Sequence, residues 1–85
     1  MELKVIKKEY YVEFYGTNIN EPYVMQSKIF KTPKSAFNWV CRNFDYVDDQ
    51  EIEIYIMVMN WFNEDEYDIE QYGYIEGLSK LHINN

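Results

Sequence analysis

Residues 50–62, QEIEIYIMVMNWF, are the most apolar stretch of the chain, and their pattern decides the fold. Aliphatic side chains occupy every second position, at Ile52, Ile54, Ile56 and Val58. Because successive side chains on a strand point to opposite faces, this spacing predicts a central strand whose aliphatic face carries the core. The alternate positions form the other face, which begins acidic and ends in large side chains: Glu51, Glu53, Tyr55, Met57, Met59 and Trp61.

The segments before this strand predict a hairpin and then a helix. Residues 3–15 and 23–31 show the alternation of half-buried strands, and residues 16–22 between them contain the Gly, Asn and Pro that favour a turn. Thr32 and Pro33 then give two signals of a helix start, an N-cap residue and a proline at the first helical position.

The predicted helix, residues 33 to about 44, carries a single apolar stripe. Trp39 lies beside the centre of the stripe, and we expect it to be partly buried. Cys41 is the only cysteine and lies within the stripe, so we expect a buried, reduced thiol. The stripe consists of Ala36, Phe37, Val40, Cys41 and Phe44.

Beyond the central strand, residues 67–75 predict a fourth strand. Gly73 weakens this strand and indicates a bulge in it. Strict alternation puts Tyr67, Ile69 and Ile75 on one face of this strand. A competing interpretation makes residues 63–72 a short helix with three acids in its first turn, but the strand is favoured. The face opposite Tyr67 would carry Asp68, Glu70, Tyr72, Tyr74 and Glu76.

The order of these elements predicts an α+β fold. We expect a small antiparallel β-sheet in ββαββ order, with one amphipathic helix packed on one face. The chain has 85 residues, and we expect a single domain over residues 1–85. Residues 78–83 are consistent with either a last turn or a short edge strand, and residues 84–85 are expected to fray.

The sequence contains no stretch typical of a secretory leader or a membrane span. The longest apolar run, residues 54–59, is far shorter than the ~20 residues that cross a bilayer. With a single cysteine, this predicts a soluble cytoplasmic protein without membrane contact. The richness in Ile, Lys, Asn, Tyr and Glu is typical of AT-rich genomes, so we expect a bacterial host cell, or a phage or mobile element within one.

The formal net charge of −7 is unevenly distributed along the chain. Residues 1–44 contain seven Lys or Arg and four Glu, for a net +3, whereas residues 45–85 contain one Lys and eleven acids, for a net −10. The acidic half is expected to be repelled by nucleic acid and attracted to a protein partner with a basic surface. The lysines of the first hairpin alternate with tyrosines, but no nucleic-acid-binding motif accompanies them, so no direct nucleic-acid contact is expected.

The residue types needed for catalysis do not occur in a recognisable arrangement. The only histidine is His82, and the serines, Ser27, Ser35 and Ser79, lie in no context typical of a nucleophile. The acidic clusters at residues 45–51 and 64–68 lack the glycine and the alternating oxygen ligands of a calcium loop. We therefore expect no catalytic residues, no metal, no cofactor and no enzymatic activity.

A protein-binding surface is predicted on the side of the sheet away from the helix. Tyr, Trp and Met dominate the cores of protein interfaces, and carboxylates give fast association with basic partners. Three kinds of cover are open for this surface: a partner protein, a second copy of the chain, or a second small core in which the tail at residues 78–83 or the other edge of the sheet folds over it. The predicted surface comprises Tyr55, Met57, Met59, Trp61, Glu64, Asp65, Glu66, Asp68, Glu70, Tyr72 and Tyr74.

Two functions are compatible with such a surface. The first is a small inhibitor, encoded by a phage or mobile element, whose carboxylates imitate nucleic acid and block a host defence or nucleic-acid-handling enzyme. The alternative is a homodimeric structural or interaction module that uses the Tyr, Met and Trp face and has no inhibitory role.

Overall fold

The computed structural model describes residues 4–16, 23–43, 52–77 and 80–84. Within these ranges the strands form one antiparallel sheet in the order β2-β1-β3-β4-β5, and the helix lies between β2 and β3 in sequence. The α+β class is therefore confirmed, but the order is ββαβββ, because the tail adds a fifth strand to the predicted ββαββ. The elements are β1 Lys7–Gly16, β2 Tyr23–Gln26, α1 Pro33–Asn43, β3 Ile52–Trp61, β4 Tyr67–Glu76 and β5 Lys80–Ile83.

Strand β3 occupies the centre of the sheet, as its aliphatic alternation predicts. It pairs over its full length with β1, from Trp61 opposite Lys7 to Ile52 opposite Gly16, and on its other side with β4. This register places Val12 beside Ile56 in the middle of the sheet, and both side chains have no exposed surface. The alternating pattern of β3 thus fixes which side of the sheet carries the core.

The helix begins as the sequence predicts. The backbone N–H of Ser35 donates a 3.1 Å hydrogen bond to the Thr32 hydroxyl oxygen, so Thr32 is the N-cap and Pro33 the first helical residue. Ala36 and Val40, one turn apart, are fully buried against the sheet.

The helix has a different apolar stripe from the predicted one. Cys41 is exposed, so the expected buried thiol is wrong. Trp39 is partly buried as predicted, with its ring 6.0 Å from the Phe14 ring and 5.8 Å from the Phe30 ring. Packing of this large ring turns the helix toward Trp39, and because each residue rotates by about 100°, Cys41 lies beyond the edge of the buried stripe.

The core lies between α1 and one face of the sheet, and we call this the covered face. Phe37, Trp39, Tyr10, Tyr72 and Leu81 are partly buried around its margin. Its buried members are Val12, Phe14, Phe30, Ala36, Val40, Ile54, Ile56 and Ile75.

Strand β2 is shorter than predicted, because the chain leaves the ladder at Ser27. The Ser27 hydroxyl accepts the Val12 N–H at 2.8 Å, and the Ser27 N–H donates to the Val12 carbonyl oxygen at 2.9 Å. A side chain thus takes the place of a backbone acceptor, and pairing resumes only as a single bridge between Tyr10 and Phe30.

Residues 67–76 form a strand, which settles the choice between strand and helix, and the bulge indicated by Gly73 is present. The β3–β4 register shifts between Ile56 and Met57: Ile56 lies opposite Gly73, but Met57 lies opposite Gln71. The extra residue on β4 is Tyr72. Strict alternation along β4 is therefore wrong, and the face of each side chain changes at this point.

The tail joins the edge of the sheet as β5. Leu81 lies opposite Ile75 and packs on the margin of the core. Asn84, expected to fray, instead donates its backbone N–H to the Tyr72 carbonyl oxygen at 2.8 Å. The tail, over residues 80–84, therefore extends the sheet and does not fold over it.

Some sequence predictions lie outside the described residues: the hairpin loop after Gly16, Phe44, the acidic cluster at residues 45–51 and the end of the chain at Asn85. Within the described residues, no helix has the length and apolar character needed to cross a membrane.

Candidate interaction surface

The face of the sheet opposite α1 is the candidate site, and we call it the open face. No described helix or loop lies over it. It follows from the register that the alternate side chains of β1, β3, β4 and β5 gather here. Its main members are Glu9, Tyr11, Glu13, Tyr15, Tyr55, Met57, Met59, Trp61, Tyr67, Ile69, Gln71, Tyr74 and His82.

Several large side chains on the open face are partly exposed although they belong to central strands. Tyr55, Met57, Met59 and Trp61 are half-buried, whereas Tyr11 in β1 is only 7% exposed. Toward the edge, exposure rises to 45% for Tyr67, 47% for Ile69 and 41% for Tyr74. The predicted residues of β3 therefore lie on a partly exposed surface, which residues 80–84 of the tail do not cover.

One end of the open face is an aromatic and cationic cluster. The rings of Trp61 and Tyr67 lie 4.6 Å apart, and the Lys7 ammonium lies 5.3 Å from the Trp61 ring centroid. Lys7 also approaches Glu9 at 3.8 Å. The Trp61 indole nitrogen is buried without a hydrogen-bond partner, which indicates that this ring is held by packing and by the cation above it.

The other end of the open face holds two more ring pairs. Tyr15 and Tyr55 meet edge to face with centroids 5.4 Å apart, while Tyr74 and His82 stack in parallel at 4.5 Å. His82 also contacts the Glu76 carboxylate. The only histidine thus takes part in a surface stack on the edge strand.

A buried carboxylate lies within the open face. Glu13 is 8% exposed, and it accepts hydrogen bonds from the Tyr11 hydroxyl and, at 3.4 Å, from the Gln26 amide. Burial, with the charge and the hydrogen bond of Glu13, raises the pKa of Tyr11. The Tyr55 hydroxyl donates to Glu53 at 2.9 Å, and this bond, aided by burial, raises the pKa of Tyr55.

Three residues of the predicted surface lie on the covered side of the sheet, and their placement is corrected. Asp68 and Glu70 accept hydrogen bonds from the buried Asn60 amide at 3.2 and 3.0 Å. The Tyr72 ring meets the Tyr10 ring edge to face at 5.6 Å. The bulge is the physical reason, because the extra residue reverses the alternation and leaves only Tyr74, of the predicted β4 residues, on the open face.

The acids of the β3–β4 turn lie at the end of the sheet, away from the centre of either face. The Asn63 side-chain oxygen accepts the backbone N–H groups of Asp65 at 2.8 Å and Glu66 at 2.9 Å, which fixes the turn. Glu64, Asp65 and Glu66 are exposed there. They are contiguous with Asp68 and Glu70, but not with Tyr55 at the far end of β3.

The charge asymmetry of the sequence is smaller in space than along the chain. Strand β1 comes from the basic half but pairs with β3 from the acidic half, so Lys7 lies opposite Trp61, and Lys8 lies opposite Asn60. Asn60 in turn lies opposite Asp68. The N-terminal lysines therefore lie at the same end of the sheet as the acidic turn.

The described part of the chain contains no enclosed polar pocket on the open face. A shallow depression of about 300 Å³ is lined by Tyr15, Glu53, Tyr55, Met57 and Gln71. Among residues 4–16, 23–43, 52–77 and 80–84, no three potential metal ligands come together. A broad, nearly flat aromatic surface of this kind suits contact with another macromolecule.

Sequence reasoning missed several members of the open face. The alternation of β1 predicts Tyr11 and Tyr15 on the same face as Glu9 and Glu13, but the predicted surface does not include these two tyrosines. Strict alternation predicts Tyr67 and Ile69 on the opposite side, because it takes no account of the extra residue at the bulge.

No protein-family model, curated protein or solved structure matches the chain.

Proposed function

We propose that this protein is a homodimeric interaction module in which two copies meet through their open faces. The observation that carries this proposal is the row of Tyr55, Met57, Met59 and Trp61 on a sheet face without a covering layer in the described part of the chain. Apolar side chains gain free energy when they leave water, and a self-complementary sheet face is a simple way to bury them.

The size of the open face is sufficient for a dimer. Three strands of ten residues and one of four, spaced about 4.8 Å apart, give a face of roughly 540 Å². Two such faces bury about 1,100 Å² in total, which exceeds the ~1,000 Å² expected of a specific interface.

The open face carries little net charge. Lys7 and Lys80 lie on it together with Glu9, Glu13, Glu53 and Glu76, for a net −2. The other five acids of the described residues lie away from the proposed interface, where they increase solubility without opposing contact between two copies: Glu64, Asp65, Glu66, Asp68 and Glu70.

The test is the oligomeric state of a matched pair of variants. Ile69→Lys places a charge on the open face, and Ile83→Lys places one on the covered side; their side chains are similarly exposed, at 47% and 53%. We expect light scattering after size exclusion to show a dimer for the wild type and Ile83→Lys, and a monomer for Ile69→Lys and Met57→Lys. A wild type that stays monomeric at millimolar concentration would refute the dimer.

The acidic inhibitor is the second candidate. It is supported by the exposure of Glu64, Asp65, Glu66, Asp68 and Glu70, a run without a Lys or Arg neighbour in sequence. Such a protein would bind the basic groove of a nucleic-acid enzyme with strong salt dependence. A pull-down from the host should then recover a nucleic-acid-handling enzyme at low salt only, and reversal of the charges at Glu64, Asp65 and Glu66 should abolish that recovery.

A further inference from the structure

Only about half of the outer edge of β4 is paired with another described strand. β5 pairs with residues 73–76, and Asn84 then bonds the Tyr72 carbonyl oxygen with its backbone and, at 3.3 Å, the Gln71 carbonyl oxygen with its side chain. Beyond that point no described strand lies beside residues 67–71. This segment presents a backbone edge about 17 Å long.

All five residues of this edge are exposed, and no described strand covers them on that side. An edge strand carries backbone N–H and C=O groups that can pair with a strand of another chain. Peptide recognition by strand addition uses such an edge, with main-chain hydrogen bonds supplying affinity and alternating side chains supplying specificity.

The two sides of the edge differ in chemistry. Asp68 and Glu70 lie on the covered side, where the Asn60 amide donates to both carboxylates and orients them. Tyr67 and Ile69 lie on the open side, each nearly half exposed. An added strand would meet carboxylates with one set of its alternate side chains and apolar groups with the other.

A second copy of the chain does not suit this edge. Antiparallel pairing of two β4 edges about Ile69 would place Asp68 of one copy opposite Glu70 of the other. Like charges directly opposite one another destabilise a strand pair, whereas opposite charges stabilise it. The complementary occupant is a strand with cationic side chains at alternate positions.

We propose that the β4 edge, residues 67–71, binds an extended peptide segment of another protein in which Lys or Arg alternates with apolar residues. The basic side chains pair with Asp68 and Glu70, and the apolar ones extend the surface of Tyr67 and Ile69. This site goes beyond the proposed dimer, since it uses the edge of the sheet and not the centre of its open face.

The probe is a capped heptapeptide of alternating Lys and Val. In NMR titrations we expect it to shift and protect backbone amides within residues 67–71, with little change in β1. Two control peptides isolate the causes: a Glu–Val analogue lacks the charge complementarity, and an analogue N-methylated on alternate residues lacks the strand donors. Equal binding of the Lys–Val peptide and either control would overturn the proposal.

Matched variants show which carboxylates contribute to binding of the Lys–Val peptide. Asp68→Asn with Glu70→Gln keeps acceptors for Asn60 and removes two charges, and we expect the peptide to bind about three- to tenfold more weakly, as loss of two exposed ion pairs implies. Glu64→Gln with Asp65→Asn removes the same charge from the turn, and we expect less than a twofold change. Equal losses in the two double variants would mean general electrostatic attraction and refute the edge site.

Failure of this site is distinguishable from failure of the dimer. Met57→Lys should dissociate two copies but leave the amides of residues 67–71 responsive to the Lys–Val peptide. A monomeric wild type that binds the peptide would refute the dimer alone, and a dimer that ignores the peptide would refute the edge site alone.

Discussion

The two faces of the sheet differ in how far their side chains are exposed to water. On the covered face, Val12 and Ile56 lose all contact with water beneath α1, as does Val40 of α1 itself. On the open face, Met57 and Tyr55, the neighbours of Ile56, are large and partly apolar but remain half-buried. The comparison teaches that the same alternation builds a buried core on one face and, within the described residues, leaves large apolar side chains partly exposed to water on the other.

The largest expected effect is on the free energy of unfolding, and it distinguishes two adjacent residues that lie on opposite faces. Ile56→Ala should lower the free energy of unfolding by about 3 kcal/mol, since a buried cavity forms under the helix. Met57→Ala should cost about 1 kcal/mol or less when measured at concentrations where the chain is monomeric. Urea unfolding monitored by Trp fluorescence compares the two variants. Equal losses would mean that the open face is packed as tightly as the core.

An intermediate effect is expected at the bulge, which assigns β4 residues to their faces. A Cβ added at Gly73 would overlap the carbonyl oxygen of His82 in β5, where neither backbone can yield without loss of pairing. Gly73→Ala should therefore destabilise the chain by about 1–3 kcal/mol and detach β5. Hydrogen exchange should show loss of protection at Lys80–Ile83 while β1 stays protected. Unchanged protection in β5 would contradict the close approach.

The smallest effect compares neighbouring tyrosines on the two faces. Burial and the nearby Tyr72 raise the pKa of Tyr10, whereas burial and the Glu13 carboxylate raise the pKa of Tyr11. Glu13→Gln should lower the pKa of Tyr11 and leave that of Tyr10 unchanged. NMR titration of the two rings provides the measurement, and a parallel shift of both values would contradict the separate causes.

The same pKa shifts predict a loss of stability in alkali. A tyrosine whose folded pKa lies above its unfolded value of 10.0 binds its proton more tightly when folded. Its contribution is fully present below pH about 10 and is lost as the pH rises through the folded pKa. Tyr11→Phe and Tyr55→Phe should each flatten the decline of stability above pH 10, as measured by urea unfolding across pH.

Several features of the fold followed from local chemistry. The alternation of Ile54, Ile56 and Val58 placed β3 at the centre of the sheet, and Thr32 with Pro33 located the start of α1, because strand parity and helix capping act over a few neighbouring residues. Part of the candidate surface followed in the same way, since Tyr55, Met57, Met59 and Trp61 lie opposite that aliphatic face.

Other features depended on contacts between distant segments. The exposure of Cys41 follows from the packing of Trp39 on Phe14 and Phe30, which rotates the helix, and no property of the helix sequence alone specifies that rotation. Gly73 indicated a bulge, but only pairing with β3 decided where the extra residue lies. That position in turn separated Asp68 and Glu70 from Tyr74.

The sequence by itself determined the central strand, the helix start and the presence of a large aromatic surface, because each depends on the order of side chains along a short segment. Only the tertiary structure decided that residues 80–84 extend the sheet and do not fold over its open face, and that the lysines of β1 lie at the same end of the sheet as the acidic turn. Strand pairing brings together residues far apart in the chain, and its register is set by the packing of the whole sheet.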